Sequence, residues 1–275
     1  MDEVAKCDVA AVATRLIDAY DAATMLAPIS AGAPGFDVAQ AYDVLAEIER
    51  RRAVQGWRAV GRKIGFTNRT IWARYGVYQP MWAHVYTHTV HIAPAGGASL
   101  SLARFVQPRI EPEVVFKLKG PPPATDDARA MLECIEWIAP GFEIVQSHFP
   151  DWKFTAADCT AAFGLHGALV VGAPVAITAA NRATIADALP AFSLRLRRGS
   201  ELIDTGVGAN VLGSPTQALA HLVRVLAAQP NSPALAAGEI VTTGTITDAW
   251  PVAPGQTWTS DYGALGLAGL TLTFA

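Results

Sequence analysis

Glu111 and Glu113 stand on either side of a proline in the run Gln107-Pro-Arg-Ile-Glu-Pro-Glu-Val-Val-Phe-Lys-Leu118. The run reads as a strand, in which side chains at i and i+2 share a face, about 7 Å apart along the backbone. The two carboxylates therefore point the same way, while Ile110, Val114 and Phe116 turn to the other face. Neighbouring carboxylates repel unless water screens them, they share a proton, or they hold a cation. A further carboxylate, Glu143, lies in the apolar run Gly141-Phe-Glu-Ile-Val145, where a lone charge requires a partner. Two arrangements satisfy this pattern. Either Glu111 and Glu113 face solvent and Glu143 pairs with an arginine or lysine, or the paired carboxylates hold a hard divalent cation. Magnesium and manganese suit such all-oxygen sites and usually keep waters that a substrate displaces. Pro112 cannot donate to a ladder, which places the segment at a sheet edge or beside a cleft.

The elements that must position these groups fall into two parts. Val4 to Met25 is alanine-rich with apolar residues at helical spacing, and Pro28 offers a stop. Asp37 can cap a second helix running towards Arg52, with Ala41, Val44, Leu45 and Ile48 inside and Glu47, Glu49, Arg50 and Arg51 mostly outside. Val60 to Phe66 reads as a strand, Thr67 to Tyr75 as a loop or short helix, and Tyr78 to Met81 as a turn. Val85 to Ile92 and Ser99 to Phe105 are short strand candidates. Apolar β-type runs then recur at 110–118, 141–147, 165–172, 192–198, 238–244, 256–260 and 268–274. Helices are expected at Asp126 to Trp137 and at Pro215 to Ala227, the latter opened by Ser214-Pro215. The break near residues 90–100 divides a smaller N-terminal domain, 1–92, from a β-rich domain, 93–275, and the class is α+β.

Composition narrows the function classes. Of 275 residues, 51% are hydrophobic and only 16% charged, which supplies a large core and excludes a disordered chain. The net charge of -3 gives no basic excess for nucleic acid or an anionic membrane. Cys7, Cys134 and Cys159 are too scattered for a disulfide framework or zinc knuckle and fit a reducing compartment. The start, MDEVAKCDVA, lacks a signal-peptide pattern. The uncharged stretch Cys159 to Asn181 is broken by glycines and Pro174 and reads as buried strand and turn rather than a membrane span. A cytoplasmic protein is expected, and its low charge suits burial of surface in an oligomer of itself.

Four stretches occur in order: Gly61-Arg-Lys-Ile-Gly-Phe-Thr67, Gln107 to Glu113, Phe142-Glu-Ile-Val-Gln-Ser147 with Asp151-Trp152-Lys153, and Thr243-Gly244 with Pro251-Val-Ala-Pro-Gly255. From about residue 37 onward, this pattern resembles the 2-keto-4-pentenoate hydratase and 4-oxalocrotonate decarboxylase group of the fumarylacetoacetate hydrolase superfamily. The resemblance implies a mixed β-roll C-terminal domain covered in part by the smaller N-terminal one. It also implies a divalent metal, Mg²⁺ or Mn²⁺, held by Glu111, Glu113 and Glu143. Lys63 matches the lysine that faces the substrate's carboxylate or keto group, and Thr243 and Gly244 match the turn that binds its carboxylate end. A small 2-oxo acid is the implied substrate, and association with a hydratase or decarboxylase partner is implied as well.

The departures from that pattern concern proton transfer. In the resembling hydratases an aspartate, the proposed base, stands where this chain has Met81, and methionine takes no proton. Their Ala-Asp-Asn-Ala-Ser run is replaced by Ala161-Ala-Phe-Gly-Leu165. His84, His148 and His166 are new polar groups nearby, each either an acid or base or a hydrogen-bonded structural residue. Trp82, Phe149 and Phe163 belong either to a pocket for a bulkier substrate or to the core. The leading expectation is a metal-dependent lyase of decarboxylase type, with Met81 and His148 beside the substrate. Hydration of a pentadienoate, hydrolysis of an acylpyruvate through His84 or His166, and a catalytically silent partner subunit are the alternatives.

Overall fold

The computed structural model describes residues 7–69, 72–229 and 232–275. Three helices come first: α1 (Val9–Ala22), α2 (Ile29–Gly32) and α3 (Val38–Val54). Asp8 caps α1 through the Ala11 N–H; the expected start at Val4 lies outside the described residues. A capping box between Asp37 and Gln40 starts α3 where the sequence places it, and its stripe of Ala41, Val44, Leu45 and Ile48 is buried. Arg52 is buried too. Its guanidinium lies 4.1 Å from the centroid of Trp57 and bonds Asp21, tying α3 to α1.

The middle of the chain contributes β1 (Ala59–Gly65), α4 (Trp72–Tyr75), β2 (Met81–Tyr86), β3 (Val90–Ile92), β4 (Gly97–Leu100), β5 (Arg109–Leu118), α5 (Ala128–Glu133), β6 (Ile135–Val145), α6 (Ala156–Ala161) and β7 (His166–Val171). It continues with β8 (Val175–Ala176), α7 (Arg182–Ala188), β9 (Ser193–Arg198), β10 (Glu201–Val207), α8 (Pro215–Ala228), β11 (Ile240–Thr242), β12 (Trp250–Pro251), β13 (Thr257–Asp261) and β14 (Leu270–Phe274). Among the described residues these strands form two mixed, curled sheets. The larger runs β2-β1-β11-β5-β6-β7-β3, with β12 added to β5 and β8 to β6, and takes strands from both sides of residue 92. The smaller runs β10-β9-β13-β14-β4.

Several elements differ from expectation. The helix near Asp126 ends at Glu133 because Ile135 already enters β6. Val85 to Ile92 is broken by a turn in which the Thr89 N–H bonds the Tyr86 carbonyl. The start of the Cys159–Asn181 stretch is helical, the end of α6. All six residues of α6 are buried, so it shows no amphipathic period. Its start signal was the capping box of Thr155 with Asp158. β5 is an interior strand rather than an edge. Pro112 falls in the gap between β11 and β12, where the Ile246 N–H bonds the Pro112 carbonyl and the Thr243 N–H bonds that of Val114. The missing donor therefore lies against a loop, beside a cleft.

The sheets pack face to face. Ile110, Val114 and Phe116 of β5 and Phe142 and Ile144 of β6 meet Leu194 and Leu196 of β9, Trp258 of β13 and Leu272 of β14 in one core, with α8 closing its side. A second core joins α1 and α3 to Met81 and the Phe163 turn. Tyr262, wholly buried after β13, reaches from the smaller sheet into the larger one. Its hydroxyl donates to the Glu113 carbonyl at 2.6 Å and accepts the Gly141 N–H at 3.3 Å. Tyr262→Phe strands both groups and is expected to cost about 1–3 kcal/mol, seen as a lower urea midpoint with an unchanged far-ultraviolet spectrum.

Candidate active site

The antiparallel register of β5 and β6 sets Glu111 directly opposite Glu143 and Glu113 opposite Gly141. Residues directly opposite share a face, with Cβ atoms about 5 Å apart. One oxygen from each of Glu111, Glu113 and Glu143 lies within 4.8 Å of the others, on the face turned away from the main core. The expected alternation holds, and both arrangements are met in part: Glu113 is buried beside the other two carboxylates, and Glu143 also lies 3.4 Å from the Lys63 ammonium. Gly141 opposite Glu113 has no room for a side chain, since a Cβ there would lie 2.5 Å from the Val115 side chain.

Each carboxylate is held individually. The Gly244 N–H donates to Glu113 Oε2 at 2.7 Å. Gly244 has φ +96°, and a Cβ would sit 1.9 Å from Thr67 Oγ1, so the position requires glycine. His166 Nδ1 lies 2.8 Å from Glu143 Oε1 and, because an ionised carboxylate only accepts, carries a proton. Its Nε2 meets the Thr89 hydroxyl at 2.9 Å. Lys63 Nζ donates to the Gly164 carbonyl at 3.0 Å and stands 3.4 Å from Glu143 Oε2. Glu113 Oε1 and Glu143 Oε2 are buried without hydrogen-bond donors. Converging hard oxygens with such orphaned lone pairs fit a divalent cation.

Burial and mutual charge divide the carboxylates. Burial pushes Glu111 up to about 7, with Glu143 adding and Lys63 and Arg109 opposing. Burial also drives Glu113 well above the usual range, helped by Glu143 and Glu111. For Glu143, burial is outweighed by Lys63 and His166, which hold it low. Burial disfavours the Lys63 ammonium, but the three carboxylates raise its affinity for its proton above the ordinary value.

A cavity of about 450 Å³ opens on Lys63 and Glu111. Met81 lines it. Gly244 does as well, although its N–H is already engaged by Glu113. Thr243 is turned away, and its hydroxyl donates to the Val114 carbonyl. The described histidines lie outside the cavity wall. His84 is on the opposite face of β2 from Met81, paired with Glu49 of α3 at 2.8 Å. His148 Nδ1 lies 2.9 Å from the Thr24 carbonyl, beneath the chain leaving α1. His166 stands behind Glu143. Trp82, Phe149 and Phe163 are core residues, and the aromatic lining comes instead from Phe66, Trp152, Phe154 and Trp250.

Other lining residues had signals that sequence reading passed over. Arg109 shares the face of Glu111 by alternation, and its guanidinium lies 4.1 Å from the Trp152 ring centroid. Thr245, Thr247 and Asp248 follow the Gly244 turn into the cavity. Cys159 also lines it; burial pushes its thiol up to about 12, so it stays protonated near neutrality.

Residues 71–271 match the family model of the fumarylacetoacetate hydrolase C-terminal domain. The chain is 30% identical over 263 residues to a 2-hydroxyhexa-2,4-dienoate hydratase of Comamonas testosteroni, covering 94% of this chain and 95% of that protein. It is 30% identical over 235 residues to a 4-oxalocrotonate decarboxylase of Pseudomonas sp. strain CF600, covering 84% of each. A solved 4-oxalocrotonate decarboxylase of Pseudomonas putida G7, complexed with magnesium and adipate, superimposes with a TM-score of 0.87 at 26% identity over 97% of both chains.

The raised Glu111 makes a thermodynamic prediction for the metal-free protein. The folded chain binds this proton more tightly than the unfolded chain, so its contribution is fully present below about 4.5 and is lost as pH rises through about 7. In chelator, melting temperature is expected to fall across that window, and Glu111→Gln is expected to flatten the fall by a few degrees in a thermal scan.

Proposed function

The chain belongs to the fumarylacetoacetate hydrolase family, and from that footing we propose that it is a divalent-metal-dependent lyase of 2-oxo acids, decarboxylating an oxalocrotonate-like acid. The observation that carries the reaction type is the cavity wall. Phe66, Met81, Val145 and Leu165 line the space that opens on Glu111 and Lys63, and among the described residues no histidine enters it. Decarboxylation of a vinylogous β-keto acid needs an electron sink and little else, whereas hydration also needs a positioned base.

In this reading Glu111, Glu113 and Glu143 hold magnesium or manganese, in keeping with the magnesium named for the superimposed decarboxylase. When bound, the cation supplies Lewis acidity at the 2-oxo acid end of the substrate. The chain's own groups do the rest. Lys63, fixed by Gly164 and Glu143, places a positive charge beside the oxygen that gathers electron density as the C–C bond breaks. The apolar part of the wall solvates the departing carboxylate poorly, which favours its leaving as neutral CO₂. Gly244 and His166 hold Glu113 and Glu143 in place, so His166 acts through a carboxylate and is a positioning residue. The acylpyruvate hydrolase alternative needs a histidine at the substrate, and neither His84 nor His166 is there. Hydration is favoured by one specific group, the Asp248 carboxylate at the cavity wall; it predicts that Asp248→Asn abolishes dienoate loss.

Purified protein is expected to release CO₂ from 4-oxalocrotonate with Mg²⁺ or Mn²⁺ and to stop in excess chelator. Turnover that survives the chelator excludes the metal assignment, and turnover without any partner excludes a silent subunit. Glu113→Gln and Lys63→Met are each expected to lower kcat by about 10²–10³-fold, while His84→Gln leaves it unchanged. His166→Leu is expected to weaken Mg²⁺ binding by about 10–100-fold, read by calorimetric titration.

A further inference from the structure

A second cavity, of about 260 Å³, lies against the first and shares Met81 and Phe66 with it. Its remaining wall comes from Val38 and Tyr42 of α3, Ala156 and Thr160 of α6, and the 76–80 loop. The side chains of α6 divide between the two spaces: Ala156 and Thr160, one turn apart, face the second cavity, and Cys159 faces the first. The polar groups in the interior part of this wall are already engaged. The Tyr42 hydroxyl accepts the Trp82 N–H at 3.1 Å, and the Thr160 hydroxyl donates to the Ala156 carbonyl at 2.9 Å. What they leave to a ligand is apolar surface. An apolar cavity of roughly 150 Å³ already holds benzene, so this one accommodates a ring or a chain of several carbons.

Met81 forms the partition. Its side chain is buried between two glycines: a Cβ on Gly65 would lie 2.7 Å from its Sδ, and one on Gly164 would lie 3.0 Å from its Cε. Both glycines thus leave the room the thioether occupies, and an unbranched thioether can change rotamer without moving the backbone. We propose that the second cavity is an apolar extension of the substrate site, which admits an uncharged alkyl or aryl substituent carried on the chain of a 2-oxo acid beyond its keto group, with Met81 the residue that sets how much of it enters. This rests on the reading that the first cavity takes a 2-oxo acid.

The test compares binding of 2-oxobutanoate and 2-oxo-6-phenylhexanoate to the Mg²⁺-loaded protein by calorimetry. The phenyl-bearing acid is expected to bind at least about tenfold more tightly. Filling the far wall with Ala156→Leu, and separately with Thr160→Leu, is expected to remove that advantage while 2-oxobutanoate binds as before. Met81→Ala is expected to increase it. Equal affinity for the two acids in the unaltered protein overturns the proposal, as does an advantage that survives both fillings. Binding of neither acid overturns the underlying 2-oxo acid reading instead, a result distinguishable from both.

Discussion

Three carboxylates on one sheet face, with an oxygen of each within 4.8 Å of the others, form a repulsion that the remaining structure must contain. In a low-dielectric site such charges are unfavourable twice over, through lost hydration and through one another. Lys63 and His166 offset part of this by lying against Glu143, which is the carboxylate kept low while the other two are pushed up. Glu113 Oε1 has no hydrogen-bond donor and Glu143 Oε2 has only the Lys63 ammonium at 3.4 Å, so protein groups do not fully complete the balance. A doubly charged ion has the charge and the coordination demand to do so, and a substrate that brings its own oxygens finds its place beside such an ion.

Register is what makes the cluster possible. A one-residue slip between β5 and β6 would send Glu143 into the apolar core and Phe142 into the site. The apolar sets on the opposite face, Ile110, Val114 and Phe116 against Phe142 and Ile144, therefore select the register and with it the carboxylate positions. Tyr262 adds a direct brace from the other sheet at the Glu113–Gly141 pair. Backbone strain gathers at the same place. Phe163, Gly164 and Leu165 all adopt positive φ, as do Gln107, Asp151 and the cavity-lining Trp152. Such residues cost about 1–3 kcal/mol each outside glycine. The first run turns the Gly164 carbonyl to Lys63 and delivers His166 to Glu143; the second sets Trp152 under Arg109.

Strong local patterns were legible in the sequence. The α3 cap and stripe, the alternation of β5, the Ser214-Pro215 start of α8 and the order of the family stretches all correspond to observed elements or matches. What escaped was decided by tertiary surroundings. α6 lacks a polar face because both cavities and the helical layer enclose it, so periodicity could not reveal it. His84 stands three residues from Met81, yet strand alternation turns it to α3. The motif pair Thr243-Gly244 divides its roles, one side chain bracing β5 while the neighbouring N–H holds Glu113. A motif identifies a turn, but which of its donors stay available depends on what packs behind it.

The relatives carry the names of two reactions, hydration and decarboxylation, on similar chains. A carboxylate cluster able to hold a cation suits either, because both draw electrons towards an oxygen-bearing end of the substrate. Selection between them falls to the opposite requirement, the presence or absence of a group that can move a proton to and from water. In this chain Met81 at the wall carries a thioether, the Cys159 thiol stays protonated, and His84, His148 and His166 are committed to Glu49, Thr24 and Glu143, which leaves the Asp248 carboxylate as the wall group able to take a proton. An apolar wall is more than the loss of a base. It destabilises a carboxylate relative to CO₂, so a wall surface that disfavours hydration also favours a bond cleavage that needs no base. On such a charged centre, the solvent quality of the wall distinguishes a site suited to losing CO₂ from one suited to adding water.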